Sequence, residues 1–251
     1  EDAAEYESEV GDSEEGKLAA TEARLSGDDV FEEQLARIDE LTAAESLDLA
    51  INGLHAYSQL YGRFYDSPDK RAAVLERIRS SWERIPVFLR LRVLTTLVDF
   101  ALEHSDPAEG LELVLDMYEM FEQNTWPIRY EIPLGAQLAT LRYRCGQEEE
   151  AEADLSGLIE EYDANRHLIG SFERAETLRP IAESYWEIGS QEESLAIYRR
   201  VIEEGAENPN ARPRCQDLVA SCVSMAVRGV QPDAAMWARI REIRDGLGHP
   251  W

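Results

Sequence analysis

The stretch Leu178–Val201, LRPIAESYWEIGSQEESLAIYRRV, decides how this chain folds. Leu178, Ile181, Ala182 and Tyr185 recur at the three- and four-residue spacing of a single helix face. Gly189 follows where a helix ends in a left-handed residue, the conformation that glycine adopts without steric cost. Ser190 and Glu193 then have the spacing of a capping box, so a second helix opens at once. Ser194, Tyr198 and Val201 form its apolar face. The stretch therefore predicts a helix, a tight turn and a second helix folded back on the first.

The same punctuation recurs outward from this unit. Gly146 and Gly229 stand where helices end, while Ser67-Pro68 and Asp106-Pro107 read as an N-cap followed by proline in the first turn. With Asp66, Ser105, Gly146, Gly189 and Gly229 as the turn of each pair, the intervals are 39, 41, 43 and 40 residues. A period near 40 with two helices per unit predicts a solenoid. Five positions after the turn stand Gly110, Ala151, Ser194 and Ala234. Seven positions before it stand Val98, Ala139, Ala182 and Cys222. Closely crossing helices require such small side chains at their contact. Leu97, Leu138, Ile181 and Ser221, with Val114, Leu155, Tyr198 and Ala238, read as core-filling sites. A first helix is expected over about Val30 to Leu41, with Phe31, Leu35 and Ile38 on one face. No alternating β-branched run appears, so no sheet is expected.

The residues Leu178, Ile181, Ala182, Tyr185, Gly189, Ser194, Tyr198 and Val201 resemble the tetratricopeptide repeat, as do Ala139, Gly146, Ala151, Leu155 and Leu158 one unit earlier. The likeness extends over roughly 90–251, and over 42–89 by period alone. Arg142 departs from it where an aromatic is usual, and Arg241 where a small residue is usual. A period above 34 and Pro133 within a first helix leave a HEAT-like array as the alternative. The expected fold is all-α: a right-handed α-solenoid of about five antiparallel helix pairs, TPR-like, in a single domain over 28–251. Residues 1–27 read as an acidic tail that lacks the apolar surface to order itself. Residues 1–29 alone carry 11 acidic and 2 basic side chains.

The formal net charge of −26 opposes nucleic acid and anionic membrane surfaces, whose recognition requires a basic footprint. No apolar run reaches the roughly 18 residues of a membrane span, so no membrane insertion is expected. Cys145, Cys215 and Cys222 show no CxxC spacing and read as small buried residues. Lysine occurs only at positions 17 and 70, so the remaining 23 basic residues are arginine. The first residue is glutamate, which fits an exported chain after leader removal and a cytoplasmic chain equally.

His55, His104, His167 and His249 lie far apart, and no nucleotide-binding loop, nucleophile elbow or EF-hand loop occurs. The sequence implies no catalytic residue, no cofactor and no metal. In solenoids the first helices of successive pairs line the surface that receives a partner. Residues expected there include Arg92; Ala136, Thr140, Tyr143 and Arg144; Arg179, Glu183, Trp186 and Glu187; and Val219, Val223 and Val227. Arg92, Tyr143, Arg144, Arg179 and Trp186 form the candidate partner-binding set, because arginine and aromatic side chains anchor interfaces. They suit a peptide carboxylate or acidic side chain; pairing with neighbouring glutamates is the competing reading. Helix 214–228, uncharged between Asp217 and Arg228, is expected to be buried, under Pro250 and Trp251, or else to form the interface of a homodimer. The expected function is a non-catalytic scaffold that binds a protein or peptide partner, with a ligand-sensing module as the alternative.

Overall fold

A computed structural model of the chain describes residues 27–43 and 46–248. The acidic N-terminal stretch up to residue 26 and the C-terminal Pro250 and Trp251 lie outside the described residues. All regular structure among the described residues is helical. The helices are α1 (Gly27–Ala43), α2 (Leu47–Arg63), α3 (Pro68–Ser80), α4 (Val87–Glu103), α5 (Pro107–Glu122), α6 (Ile128–Arg144), α7 (Glu148–Asn165), α8 (Arg174–Glu187), α9 (Gln191–Ala206), α10 (Ala211–Arg228) and α11 (Ala234–Asp245). The all-α, TPR-like helical-repeat class read from the sequence is the class observed. Two compact units divide at His104 and Ser105.

Turn chemistry sets the repeat. Gly146, Gly189 and Gly229 have φ of 86°, 87° and 71°, in the left-handed region that stops a helix and reverses the chain. Ser105 adopts φ 58° at the equivalent position without the freedom of glycine. Asp106 caps α5 as expected, accepting from the Glu109 amide at 3.1 Å. The Ser190–Glu193 capping box does not form. The Ser190 hydroxyl instead donates to Glu152 on α7 at 3.2 Å, so a tertiary partner outcompetes the local one.

In the first unit, Phe31, Leu35 and Ile38 of α1 are buried with Leu54, Tyr57 and Tyr61 of α2. Burial and the adjoining Asp39, which accepts its hydroxyl hydrogen, push Tyr57 up to about 12. Gly62 lets α2 approach α4: a Cβ there would stand 2.6 Å from the Phe100 ring.

In the second unit, α6 pairs with α7 and α8 with α9, and the first helices α6, α8 and α10 lie in series. Ala139, Ala151, Ala182 and Ser194 are completely buried at the crossings, as their size requires. Ser194 donates to the Ala182 carbonyl at 2.7 Å across the α8–α9 contact. Ser184 donates to the Ala136 carbonyl at 3.0 Å across the α8–α6 contact. Ile181, Leu155, Tyr198 and Tyr162 fill the space between, each contributing roughly 1.5–3 kcal/mol by burial. The last pair departs from the pattern. Ala234 and Ala238 are exposed, and α11 lies against α9, tied by Arg239 to Glu203 at 2.7 Å and Arg199 to Asp233 at 2.5 Å.

Arginine also secures the segments between pairs. Arg90 donates to the Ile85 carbonyl at 2.7 Å, Arg174 to that of Ile169 at 3.0 Å, and Arg214 to that of Asn208 at 3.0 Å. Each lies in the first turn of a first helix and reaches back to a buried linker residue. A guanidinium holds several such bonds in fixed directions, which a single ammonium does not.

Candidate functional site

The candidate binding face belongs to the second unit and is built on α6, α8 and α10. Gly135 lets α7 close on α6: a Cβ there would lie 2.7 Å from the end of Leu158. That contact turns Ala136 and Thr140 inward. Both are buried, and Ala136 accepts from Ser184, so they serve the α6–α8 contact rather than the solvent face expected for them.

Tyr143 and Trp186 are half-buried at the C-terminal ends of α6 and α8, packed on the edge of the core. Arg144 is exposed beside Tyr143. Arg179 is half-buried on α8, with Nε 3.6 Å from Glu183, one turn later. Arg92 is exposed on α4, in the first unit, so the candidate set is divided between two units. Arg142, in the position where the repeat usually has an aromatic, lies 5.1 Å over the Tyr118 ring and pairs with Asp154 at 3.0 Å.

Glu183 is the hub between α8 and α10. Ser224 donates to its Oε1 at 2.5 Å and Arg228 to its Oε2 at 3.1 Å, in addition to the Arg179 contact. Tyr198 shares a 2.7 Å hydrogen bond with Ser224 from below. This carboxylate is thus fully employed in joining the two helices.

One turn and more towards the N-termini of the same helices, a cleft of about 560 Å³ opens between α8 and α10. Glu176, Arg179, Asn208 and Asp217 line it, with Phe172 exposed at its edge. Gly205 of α9 creates the local geometry: a Cβ there would lie 2.8 Å from the Cβ of Asp217, so the absence of one lets α10 settle against α9. Asp217 is carried inward as a result. Its Oδ2 is buried with no hydrogen-bond partner among the described residues. Desolvation raises its pKa to about 6, Arg179 opposing that rise and Glu176 adding to it. Asn208, in the linker before α10, is 2% exposed, and its Nδ2 is also unpartnered. Its Oδ1 is used, accepting from the Asn210 amide at 3.1 Å. Pro180 sits inside α8 and cannot donate to the Glu176 carbonyl one turn before it.

Sequence reading missed Glu176, Asn208 and Asp217 as a group. Asp217 carried one visible signal, as the last charge before the uncharged run 218–227. Nothing in the spacing placed Asn208 beside it. The run is buried on one face only, so its valines lie outward as read and the expectation of full burial does not hold. Leu218, Ser221 and Met225 are buried, but Val219, Val223 and Val227 are 54%, 55% and 77% exposed along the outer face of α10.

Among the described residues, no group of three or more histidine, cysteine, aspartate or glutamate side chains could hold a metal ion. Burial raises the Cys145 and Cys222 thiols above their ordinary pKa, the opposite of an activated nucleophile. No described helix is long and apolar enough to cross a membrane.

No family model matches the sequence, and no curated protein sequence matches it. Among solved structures the chain is similar to a crystal structure of a Podosopora anserina putative kinesin light chain with nearly identical TPR-like repeats. The identity is 12%, the TM-score 0.42, and the match covers 88% of this chain and 96% of that one.

Proposed function

We propose that the chain is a non-catalytic interaction scaffold that receives a peptide or protein partner on the face formed by α6, α8 and α10. The observation that carries this reading is the series of first helices with an open cleft between the last two. Tyr143, Arg144, Arg179 and Trp186 are the contacts proposed on this face. Arg92 is a separate contact, belonging to the first unit alone. Half-buried aromatic side chains lose little entropy on binding and anchor interfaces well. The net charge of −26 supports a protein or peptide partner over nucleic acid. The test compares proteins captured by the wild type with those captured by Arg179→Glu combined with Trp186→Ala, after circular dichroism shows the variant folded. A folded double variant that keeps every partner refutes the assignment.

A second reading has its own support. Val219, Val223 and Val227 form an exposed apolar stripe along α10. It suits self-association through α10. Sedimentation that finds a monomer at all concentrations eliminates that reading.

A further inference from the structure

The α8–α10 cleft holds an imbalance that the protein itself leaves unresolved. An unpartnered buried carboxylate oxygen and an unpartnered buried amide each cost free energy that a bound group of matching polarity would return. Asp217 Oδ2 requires a donor, and Asn208 Nδ2 requires an acceptor. The Glu176 carboxylate lines the same cleft, and its backbone carbonyl has lost its helical donor to Pro180. Arg179, the one cation among the described residues that line the cleft, has its Nε 3.6 Å from Glu183. Two carboxylates, Asp217 and Glu176, therefore share the cleft with one guanidinium that already has Glu183 beside it.

We infer that this cleft binds a basic side chain of an extended peptide, with a guanidinium held between Asp217 and Glu176 and the adjoining peptide carbonyl accepting from Asn208 Nδ2. A guanidinium presents several donors in one plane and can engage two carboxylates, which one ammonium does less well. Asp217 is half-buried, so a turn about its Cβ–Cγ bond offers either oxygen to the ligand. Phe172, 62% exposed at the edge of the cleft, supplies an apolar surface for the aliphatic stem. The 560 Å³ volume exceeds that of one side chain and leaves room for the flanking backbone. A peptide carboxylate here would face the carboxylates of Asp217 and Glu176, so the cleft selects the opposite charge from the one that the arginines suggest in sequence.

This inference rests on the scaffold reading, and the test separates the two. The whole chain is used to select from a random-peptide display library at about 0.15 M salt, which screens non-specific attraction to an acidic protein. Enriched peptides are expected to share an arginine or lysine. Replacing that residue by glutamine should weaken binding at least about tenfold, measured by fluorescence polarisation. Asp217→Asn should weaken it similarly, whereas Glu149→Gln, which removes an equal charge from the exposed start of α7, should not. Enriched peptides without a common basic residue, or indifferent to Asp217→Asn, overturn the cleft assignment and leave the scaffold reading standing. A library that yields no peptide overturns both.

Discussion

Replacing Asp217 by asparagine is expected to stabilise this protein at neutral pH, although the substitution deletes a charge and adds no contact. The folded chain raises the Asp217 carboxyl from 3.8 to about 6, chiefly by desolvation. A group whose folded pKa lies above its unfolded one holds its proton more tightly in the native state. The native protein therefore loses stability as pH rises from about 4 to about 6, and the whole penalty is present above that window. At about 1.4 kcal/mol for each pH unit, the ceiling is roughly 3 kcal/mol. Water reaches part of this half-buried side chain, and Arg179 is near, so about half that value, ~1.5 kcal/mol, is the expected gain. The assay is urea unfolding followed by helical circular dichroism, with wild type and variant side by side at a series of pH values. The difference should be near zero at about pH 2.5, where Asp217 is protonated both folded and unfolded, and should grow to its plateau by about pH 7. Taking the difference cancels the other titrating carboxylates, which are numerous in this chain. A difference that does not change with pH, or an asparagine variant less stable at neutral pH, would show that Asp217 has a partner, and the reasoning would fail.

Four further substitutions probe the packing and the ion pairs of the second unit. Gly205→Ala should cost about 1–3 kcal/mol in urea unfolding, because the new methyl meets the Cβ of Asp217 at 2.8 Å, close to the backbone. Gly135→Ala should cost less, since it meets only the movable end of Leu158; equal costs would refute the distinction. Arg166→Ala should cost about 3 kcal/mol, because it strands Glu204, whose side chain is only 6% exposed and accepts from Arg166 through both oxygens. Arg239→Ala removes a pair of similar geometry from the solvent-exposed Glu203 and should cost under about 1 kcal/mol. The ratio of the two losses by thermal unfolding is the check.

The fold was legible because its determinants are local. A glycine after a helical apolar face has few conformational uses, so Gly146, Gly189 and Gly229 announced left-handed turns that the structure contains. The buried small residues Ala139, Ala151, Ala182 and Ser194 were legible too, because a regular period repeats one contact. What failed was direction around a helix. Helical spacing gives the phase of Ala136 and Thr140, but not which neighbour covers each phase. Ala136 and Thr140 were expected outward and are buried. Helix α10 was read both with its valines on the partner face and as buried throughout, and the three valines are exposed. Ala234 and Ala238 occupy the right sequence positions, yet α11 follows its arginine and aspartate partners to α9. The five groove residues were read from helix phase alone; the geometry adds that Arg92 belongs to the other unit and that Arg179 has Glu183 beside it.

The acidity of the chain takes on a different meaning at the level of individual carboxylates. A surplus of negative charge over the whole surface argues only for solubility. Between α8 and α10 the surplus is sorted by position along the helices. Towards the C-terminal end of α8, Glu183 draws two arginines and a serine hydroxyl, and its charge is spent on holding the helices together. Towards the N-terminal end, Gly205 and Pro180 act in the opposite sense. Gly205 admits α10 closely enough to bury Asp217, and Pro180 withdraws a donor from the Glu176 carbonyl. Arg179, the arginine that lines that end among the described residues, has Glu183 beside it, and other arginines secure the linkers. A fold that spends arginines on linker carbonyls and leaves two carboxylates facing a cleft has put its unmet demand for a cation at one address. The pH profile of Asp217→Asn and the charge preference of selected peptides interrogate that address by independent routes. Agreement between them would tie the stability penalty in the free protein to the affinity of the bound one.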